Sequence, residues 1–381
     1  MSNNIIPYGR QHINQDDIDA VVDVLKSNNL TQGPSIQKFE QEFSNYVGSK
    51  FAVAVSSGTA ALHLCAISLN LKSGDKVITT PLTFSASANC VKYCGGEVHF
   101  VDIDPETYLI DLNKLEKLLK ENPIGTFKGI IPVNFAGLVN DFEKIDFLAK
   151  KYKLWIIEDA CHSPGGYFNK IKSGDGKFKD LSIFSFHPVK HIAAGEGGMI
   201  TTNDESLYKR LLNLRTHGIQ QDKSLNYQND GVWYYEMQEL GYNYRITDIQ
   251  ATLGLSQLKR AKDGLKSRFE IVKRYEKAFK NKEYILKLPG FVEGHAYHFY
   301  VILVKERDSL INYLRENKIF AQVHYIPVHL MPYYKKFGWK KGDFPIVESY
   351  YKNCITLPVF PSLKISEQNI VIETINNFYD K

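Results

Sequence analysis

Ile183-Phe-Ser-Phe-His-Pro-Val-Lys190 reads as an apolar strand that runs into a polar turn and presents one lysine. Upstream, Leu154-Trp-Ile-Ile-Glu-Asp159 is a second apolar strand, and it ends in a carboxylate. Downstream, Gly195-Glu-Gly-Gly198 leads into a third apolar run. A lysine able to form a Schiff base and a carboxylate able to pair with a pyridinium nitrogen are the protein groups that pyridoxal phosphate chemistry requires. The lysine must lie beside the cofactor's aldehyde carbon and the carboxylate at the opposite side of its ring.

Outward from these strands the pattern alternates. Phe51–Val55, Lys76–Thr79, Val98–Val101 and Gly129–Val133 read as strands. Helical segments follow each of them, at Ala60–Leu69, Ser85–Tyr93, Asn113–Lys120 and Phe142–Tyr152. Such alternation implies crossover connections and a mostly parallel sheet, hence an α/β fold. Residues 14–27 and 35–47 precede the series as amphipathic helices. From Ile246 to Lys280 the pattern is long and helical, which predicts a link to a smaller C-terminal domain. The expected division is a large domain over 1–255 and a small one over 256–381.

Composition sets outer limits. The 381 residues are 44% hydrophobic and 23% charged, as in an ordinary globular protein. The net charge of +5 is spread along the chain without a Lys/Arg block, so nucleic-acid binding is not expected. The five cysteines form no CxxC pair and are odd in number, which predicts reduced thiols in a cytoplasmic protein. The N-terminus lacks the basic and apolar regions of a signal peptide. Phe51–Leu69 carries no formal charge and nearly has the length of a membrane span. Ser56-Ser-Gly-Thr59 interrupts it, so a strand, a turn and a helix account for it better.

Candidate residues carry two readings each when taken singly. Ser56-Ser-Gly-Thr-Ala60 is either a phosphate cradle at a helix N-terminus or a tight strand–helix turn. Asp159 either faces the crevice at a strand's carboxyl end or caps a helix. Lys190 is a nucleophile or a surface lysine, and its apolar and glycine-rich flanks favour the first. Ser185 either reaches a phosphate or faces a neighbouring strand. Phe84 stacks on a planar ring or fills the core. His324 and His329 lack a third ligand of suitable spacing, so no metal is expected. His295 and His298 read as structural.

Together these residues resemble the DegT/DnrJ/EryC/StrS sugar aminotransferase family of fold type I pyridoxal phosphate enzymes, with its aspartate aminotransferase-like fold. The likeness runs from about Ile6 to the C-terminus. It rests on Leu30-Thr-Gln-Gly-Pro34, Ser56-Ser-Gly-Thr-Ala-Ala-Leu62, Thr79-Thr-Pro-Leu-Thr-Phe84, Glu158-Asp-Ala160, Ser185-Phe-His-Pro-Val-Lys190, Gly195-Glu-Gly-Gly198 and Gly241-Tyr-Asn-Tyr-Arg245. With Val323-His-Tyr-Ile-Pro-Val-His329 it is most similar to the pseudaminic acid branch.

The resemblance implies a seven-stranded large-domain sheet and a homodimer with shared active sites. Lys190 and Asp159 are the implied catalytic residues. Gly58, Thr59 and Ser185 would hold the cofactor phosphate, with Asn243 of the second copy. Phe84 would stack on the ring and His162 would lie near its phenolic oxygen. Tyr8, Thr31, Arg245, His324 and Tyr325 would meet substrate. The implied reaction moves the amino group of L-glutamate, through pyridoxamine phosphate, to C4 of a UDP-4-keto-6-deoxy-N-acetylhexosamine. One rival is a transaminase or dehydratase for another nucleotide-linked keto sugar. Dehydratase relatives carry histidine in place of the lysine present here. A non-catalytic regulator or scaffold is the second rival.

Overall fold

A computed structural model describes residues 5–220, 222–228 and 230–380. Seven strands form its main sheet: β1 (Phe51–Val55), β2 (Lys76–Thr79), β3 (Glu97–Phe100), β4 (Phe127–Ile131), β5 (Trp155–Asp159), β6 (Leu181–Ser185) and β7 (Gly198–Thr202). Their spatial order is β1-β7-β6-β5-β4-β2-β3. The pairs among β2 to β6 are parallel. β7 is antiparallel to both of its neighbours. The reason is local: no helix separates β6 from β7, so the chain turns back directly instead of crossing over.

Alternation along each strand sorts side chains to two helical layers. Val53, Val55, Ile183 and Ile200 pack with helix Gly58–Ser68 on one face. Ala52, Ala54, Phe184 and Met199 pack with Phe39 and Phe43 of helix Pro34–Val47 on the other. Helix Gly58–Ser68 is apolar nearly all round because it is almost wholly buried. Phe51–Leu69 is therefore β1, a turn and a helix. No helix among the described residues is long and apolar enough to cross a membrane.

The helical stretch after Ile246 is two helices, Asp248–Lys259 and Ala261–Phe279, divided at Arg260. Beyond them lies an antiparallel sheet of β8 (Ile285–Lys287), β9 (Tyr300–Val304) and β10 (Cys354–Leu357). Helices Arg307–Glu316 and Ile365–Tyr379 pack into the same apolar cluster. The start of the chain joins it: Ile6–Pro7 pairs in parallel with Ile319–Phe320, and Ile6 is buried there. This early strand delivers Tyr8 to the interior.

The end of β5 is braced from beneath. Glu158 is fully buried and accepts hydrogen bonds from Asn134, Ser173, Gly174 and Ser182 at 2.6 to 3.0 Å. The buried ammonium of Lys179 lies 3.4 Å from the same carboxylate. Removing one partner of a buried pair leaves the other charge uncompensated. Lys179→Met is expected to destabilise the fold by about 3–5 kcal/mol in urea unfolding. An unchanged midpoint would show that the serine and asparagine donors suffice.

Candidate active site

The carboxyl ends of β1, β4, β5 and β6 meet at one edge of the sheet. A cavity of about 410 Å³ opens there, lined among others by Gly58, Thr59, Asp159, His162, Ser185 and Lys190. Parallel α/β sheets bind ligands at this edge because each strand hands its chain to a loop or helix N-terminus there. Tyr8, Phe84, Phe299, His324 and Tyr325 complete the lining.

Each side chain is placed by its local fold. Ser57 caps helix Gly58–Ser68, its hydroxyl accepting from the Ala60 N–H. The N–H groups of Gly58 and Thr59 have no partner within the helix, so this end can receive an anion. The turn is close-packed: a Cβ at Gly58 would meet the Ser185 Cβ at 3.0 Å, so a larger residue would have to push Ser185 aside. On β7, a Cβ at Gly198 would strike the Ser57 carbonyl oxygen at 2.4 Å.

Asp159 ends β5 and is 6% exposed. Its carboxylate accepts from Ser87 Oγ at 2.6 Å and from the Cys161 N–H at 3.1 Å. Ser87 is itself buried, with Thr83 Oγ1 at 2.8 Å. Lys190 leaves a turn closed by its own N–H to the His187 carbonyl. Burial holds its ammonium below the usual lysine range, against the opposing pull of Cys161 and Asp159. Its nitrogen lies 3.4 Å from His298 Nε2.

A ring assembly closes the cavity. His162 Nε2 lies 3.1 Å from the Tyr325 hydroxyl, and its Nδ1 is buried without a protein partner. Burial, then the charge of Lys190, pushes its pKa far below the usual histidine value. His324 stacks on Phe299 at 3.9 Å, and the same two causes bring it to about 3. Phe84 is exposed at the rim, 6.2 Å from the Tyr325 ring.

Three anticipated residues lie elsewhere. Thr31 and Asn243 are exposed and take part in isolated bridges to Thr247 and Thr216. Arg245 lines a separate polar pocket with Gln32, Glu40 and Arg215. None of the three lines the cavity of its own chain. Conversely, Ser87 and His298 were not anticipated as site residues, yet Ser87 reaches Asp159 and His298 reaches Lys190. Nothing in their sequence surroundings marks them, because their partners are 72 and 108 residues away.

These groups suit pyridoxal phosphate. A helix N-terminus offers a phosphate cradle, a buried carboxylate awaits a cationic partner, and a lysine is held with a weakened grip on its proton. The unpartnered Nδ1 of His162 requires a hydrogen-bond partner that the protein does not provide. Fold and site thus define an enzyme of the pyridoxal-phosphate-dependent class.

The chain belongs to the DegT/DnrJ/EryC1/StrS aminotransferase family, whose profile matches residues 11–376. It is a pyridoxal-phosphate-dependent sugar aminotransferase. It is 40% identical to the spore coat polysaccharide biosynthesis protein SpsC of Bacillus subtilis, over 98% of this chain and 97% of that protein. It is 34% identical to the UDP-4-amino-4,6-dideoxy-N-acetyl-beta-L-altrosamine transaminase of Campylobacter jejuni, over 99% and 98%. Among solved structures, the Helicobacter pylori aminotransferase PseC, involved in the biosynthesis of pseudoaminic acid, superposes with a TM-score of 0.91. It is 29% identical and covers 99% of this chain and 100% of that one. The pyridoxamine phosphate form of a putative sugar aminotransferase from Streptococcus pneumoniae gives 0.90 at 30% identity, over 98% and 99%.

Ser87→Ala removes a hydrogen bond to a charged acceptor, worth about 1.5–3 kcal/mol. Cofactor affinity, read by titrating pyridoxal phosphate into dialysed protein, is expected to fall at least about tenfold. Wild-type affinity would exclude Ser87 from the site.

Proposed function

We propose that the protein transfers the amino group of L-glutamate to C4 of a UDP-4-keto-6-deoxy-N-acetylhexosamine. The product is UDP-4-amino-4,6-dideoxy-N-acetyl-L-altrosamine, on the route to pseudaminic acid. The placement of Lys190 and Asp159 in one cavity carries the chemical part of this reading. The Campylobacter relative and the Helicobacter structure support the sugar.

Pyridoxal phosphate, when bound, supplies an electron-accepting ring that carries the amino group from donor to acceptor. Asp159 pairs with the ring nitrogen and keeps it protonated. Gly58, Thr59 and Ser185 would hold the phosphate, Phe84 would cover the ring at the rim, and His162 would meet the phenolic oxygen. Lys190 would be the residue that anchors the cofactor. Once freed by glutamate, its amine would be the base, and burial favours the uncharged form that this role needs. Its nitrogen takes the proton from the donor's α-carbon and later delivers one to C4 of the sugar. Tyr8, His324 and Tyr325 face the substrate.

Asn243, Thr31 and Arg245 reach a cavity only if a second copy supplies them, so the working form is a homodimer. Tyr227, Val232, Trp233 and Leu240 are 73–89% exposed near this segment, a large apolar surface for a chain to leave uncovered. Asn243→Ala is expected to leave the sedimentation of the dimer unchanged and to weaken phosphate-dependent cofactor binding. A monomeric wild type would end the shared-site reading. Five free cysteines suit a cytoplasmic setting.

A second reading keeps the chemistry and changes the sugar. It is favoured by the greater identity to SpsC, a protein named for another polysaccharide. Visible absorbance separates the two. The cofactor band is expected to bleach with glutamate and to return on adding UDP-4-keto-6-deoxy-L-arabino-N-acetylhexosamine. Bleaching without return would replace this sugar by another keto sugar. No band after reconstitution would refute the assignment of Lys190 and bring the non-catalytic reading forward.

A further inference from the structure

We infer that His298 is a positioning residue for Lys190: its Nε2 hydrogen-bonds the lysine nitrogen and aims it whenever that nitrogen is free of the cofactor. The inference rests on the proton-carrying role proposed above for Lys190. The two nitrogens are 3.4 Å apart; Lys190 lines the cavity, and His298 is buried behind it.

The imidazole is held on several sides. Its ring stacks on His162 at 4.6 Å and lies 4.1 Å from the Phe299 ring and 5.4 Å from the His191 ring. The buried guanidinium of Arg268 binds the carbonyls of Tyr297, His298 and Val359, at 3.3, 3.1 and 2.8 Å. His191 is tied to the same segment through Ala296 O at 2.9 Å. These bonds hold the backbone of the segment, and the flanking rings pack the imidazole against the lysine.

The polar chemistry of the ring has no other evident use. His298 Nδ1 is buried without a hydrogen-bond partner. A ring that only filled space here would do better as phenylalanine, since a buried unpaired N–H costs about 1–3 kcal/mol. The contact with Lys190 is what the nitrogen adds.

The groups facing this pair are Asp159 and Cys161 from the end of β5, then His162, His191, His324 and Arg268. Burial, then the nearby cations and imidazoles, keeps His298 uncharged. A neutral imidazole has one N–H and one acceptor nitrogen. With the proton on Nδ1, Nε2 accepts from the Lys190 ammonium and favours that charged form. Loss of the acceptor therefore has two effects of opposite sign. The fraction of free amine rises, and the amine loses its direction.

The test uses enzyme loaded with pyridoxamine phosphate, in which Lys190 is not bound to the cofactor. Competitive acetylation with acetic anhydride across pH, read by peptide mass spectrometry, reports the lysine's titration. His298→Phe keeps a stacked ring and removes the acceptor. It is expected to raise Lys190 acetylation at pH 7 about tenfold in that form, while the glutamate half-reaction, started separately from the pyridoxal phosphate form, slows by about tenfold or more. His298→Gln, which restores an acceptor, should return both toward wild type. Wild-type behaviour of His298→Phe in both measurements would overturn the inference. So would a His298→Gln enzyme as impaired as His298→Phe, because packing alone would then explain the ring. Equal acetylation of Lys190 in the pyridoxal and pyridoxamine phosphate forms would instead refute the parent assignment of Lys190, and this inference with it.

Discussion

Lys190→Ala is expected to reduce overall amino transfer by about 10⁴-fold or more, because one side chain serves as both covalent anchor and proton carrier. The visible band of the lysine-bound cofactor should disappear with it. The fold should survive, since the substitution removes a buried amine that burial already disfavours as ammonium. Added methylamine is expected to restore part of the half-reaction by replacing the missing base. The pH profile gives a further check. Burial places the lysine's ionisation below the usual lysine range, so the wild-type glutamate half-reaction should rise with pH through a limb on the low side of that range. The limb should be absent in the variant. Substantial turnover by Lys190→Ala, with the limb intact, would assign the proton transfer to another group.

Asp159→Ala carries the second large effect. The carboxylate is nearly wholly buried and accepts from Ser87 and from the Cys161 N–H. Its proposed work is to hold the ring nitrogen in its protonated, electron-accepting form. Without that charge, removal of the α-proton should slow by about 10²–10⁴-fold, read as bleaching of the cofactor band in stopped flow. Cofactor affinity should fall as well. Asp159→Asn keeps the shape and one acceptor oxygen, and it is expected to retain more cofactor than Asp159→Ala while remaining slow. Equal rates in wild type and Asp159→Asn would mean that the charge does no chemical work.

Much of this site was legible in the chain. Asp159 and Lys190 each end an apolar run, and in a buried parallel sheet such ends gather at one edge. Ser57 and Gly58 stand at a strand–helix junction, where local turn chemistry repeats from fold to fold. The residues that escaped notice contact partners remote in sequence. Ser87 lies inside helix Ala86–Tyr93 between Ser85 and Asn89, and nothing local separates it from these polar neighbours. His298 stands in Ala296-Tyr-His-Phe-Tyr300, an aromatic run that reads as the approach to a strand. The antiparallel course of β7 was also hidden, because apolar content does not record strand direction.

The sequence by itself determined the alternation of strands and helices, the parallel core, and the two residues at its edge. These follow from periodicity and from what a buried strand tolerates, which are properties of near neighbours. Only the tertiary structure decided that β5 and β6 lie side by side, that Ser87 reaches Asp159, and that His298 reaches Lys190. It also carried Ile6 to the C-terminal apolar cluster and left Thr31, Asn243 and Arg245 outside their own cavity. Those outcomes depend on strand order and on the packing of distant segments, where the whole core's burial energy, and no local preference, selects the neighbour.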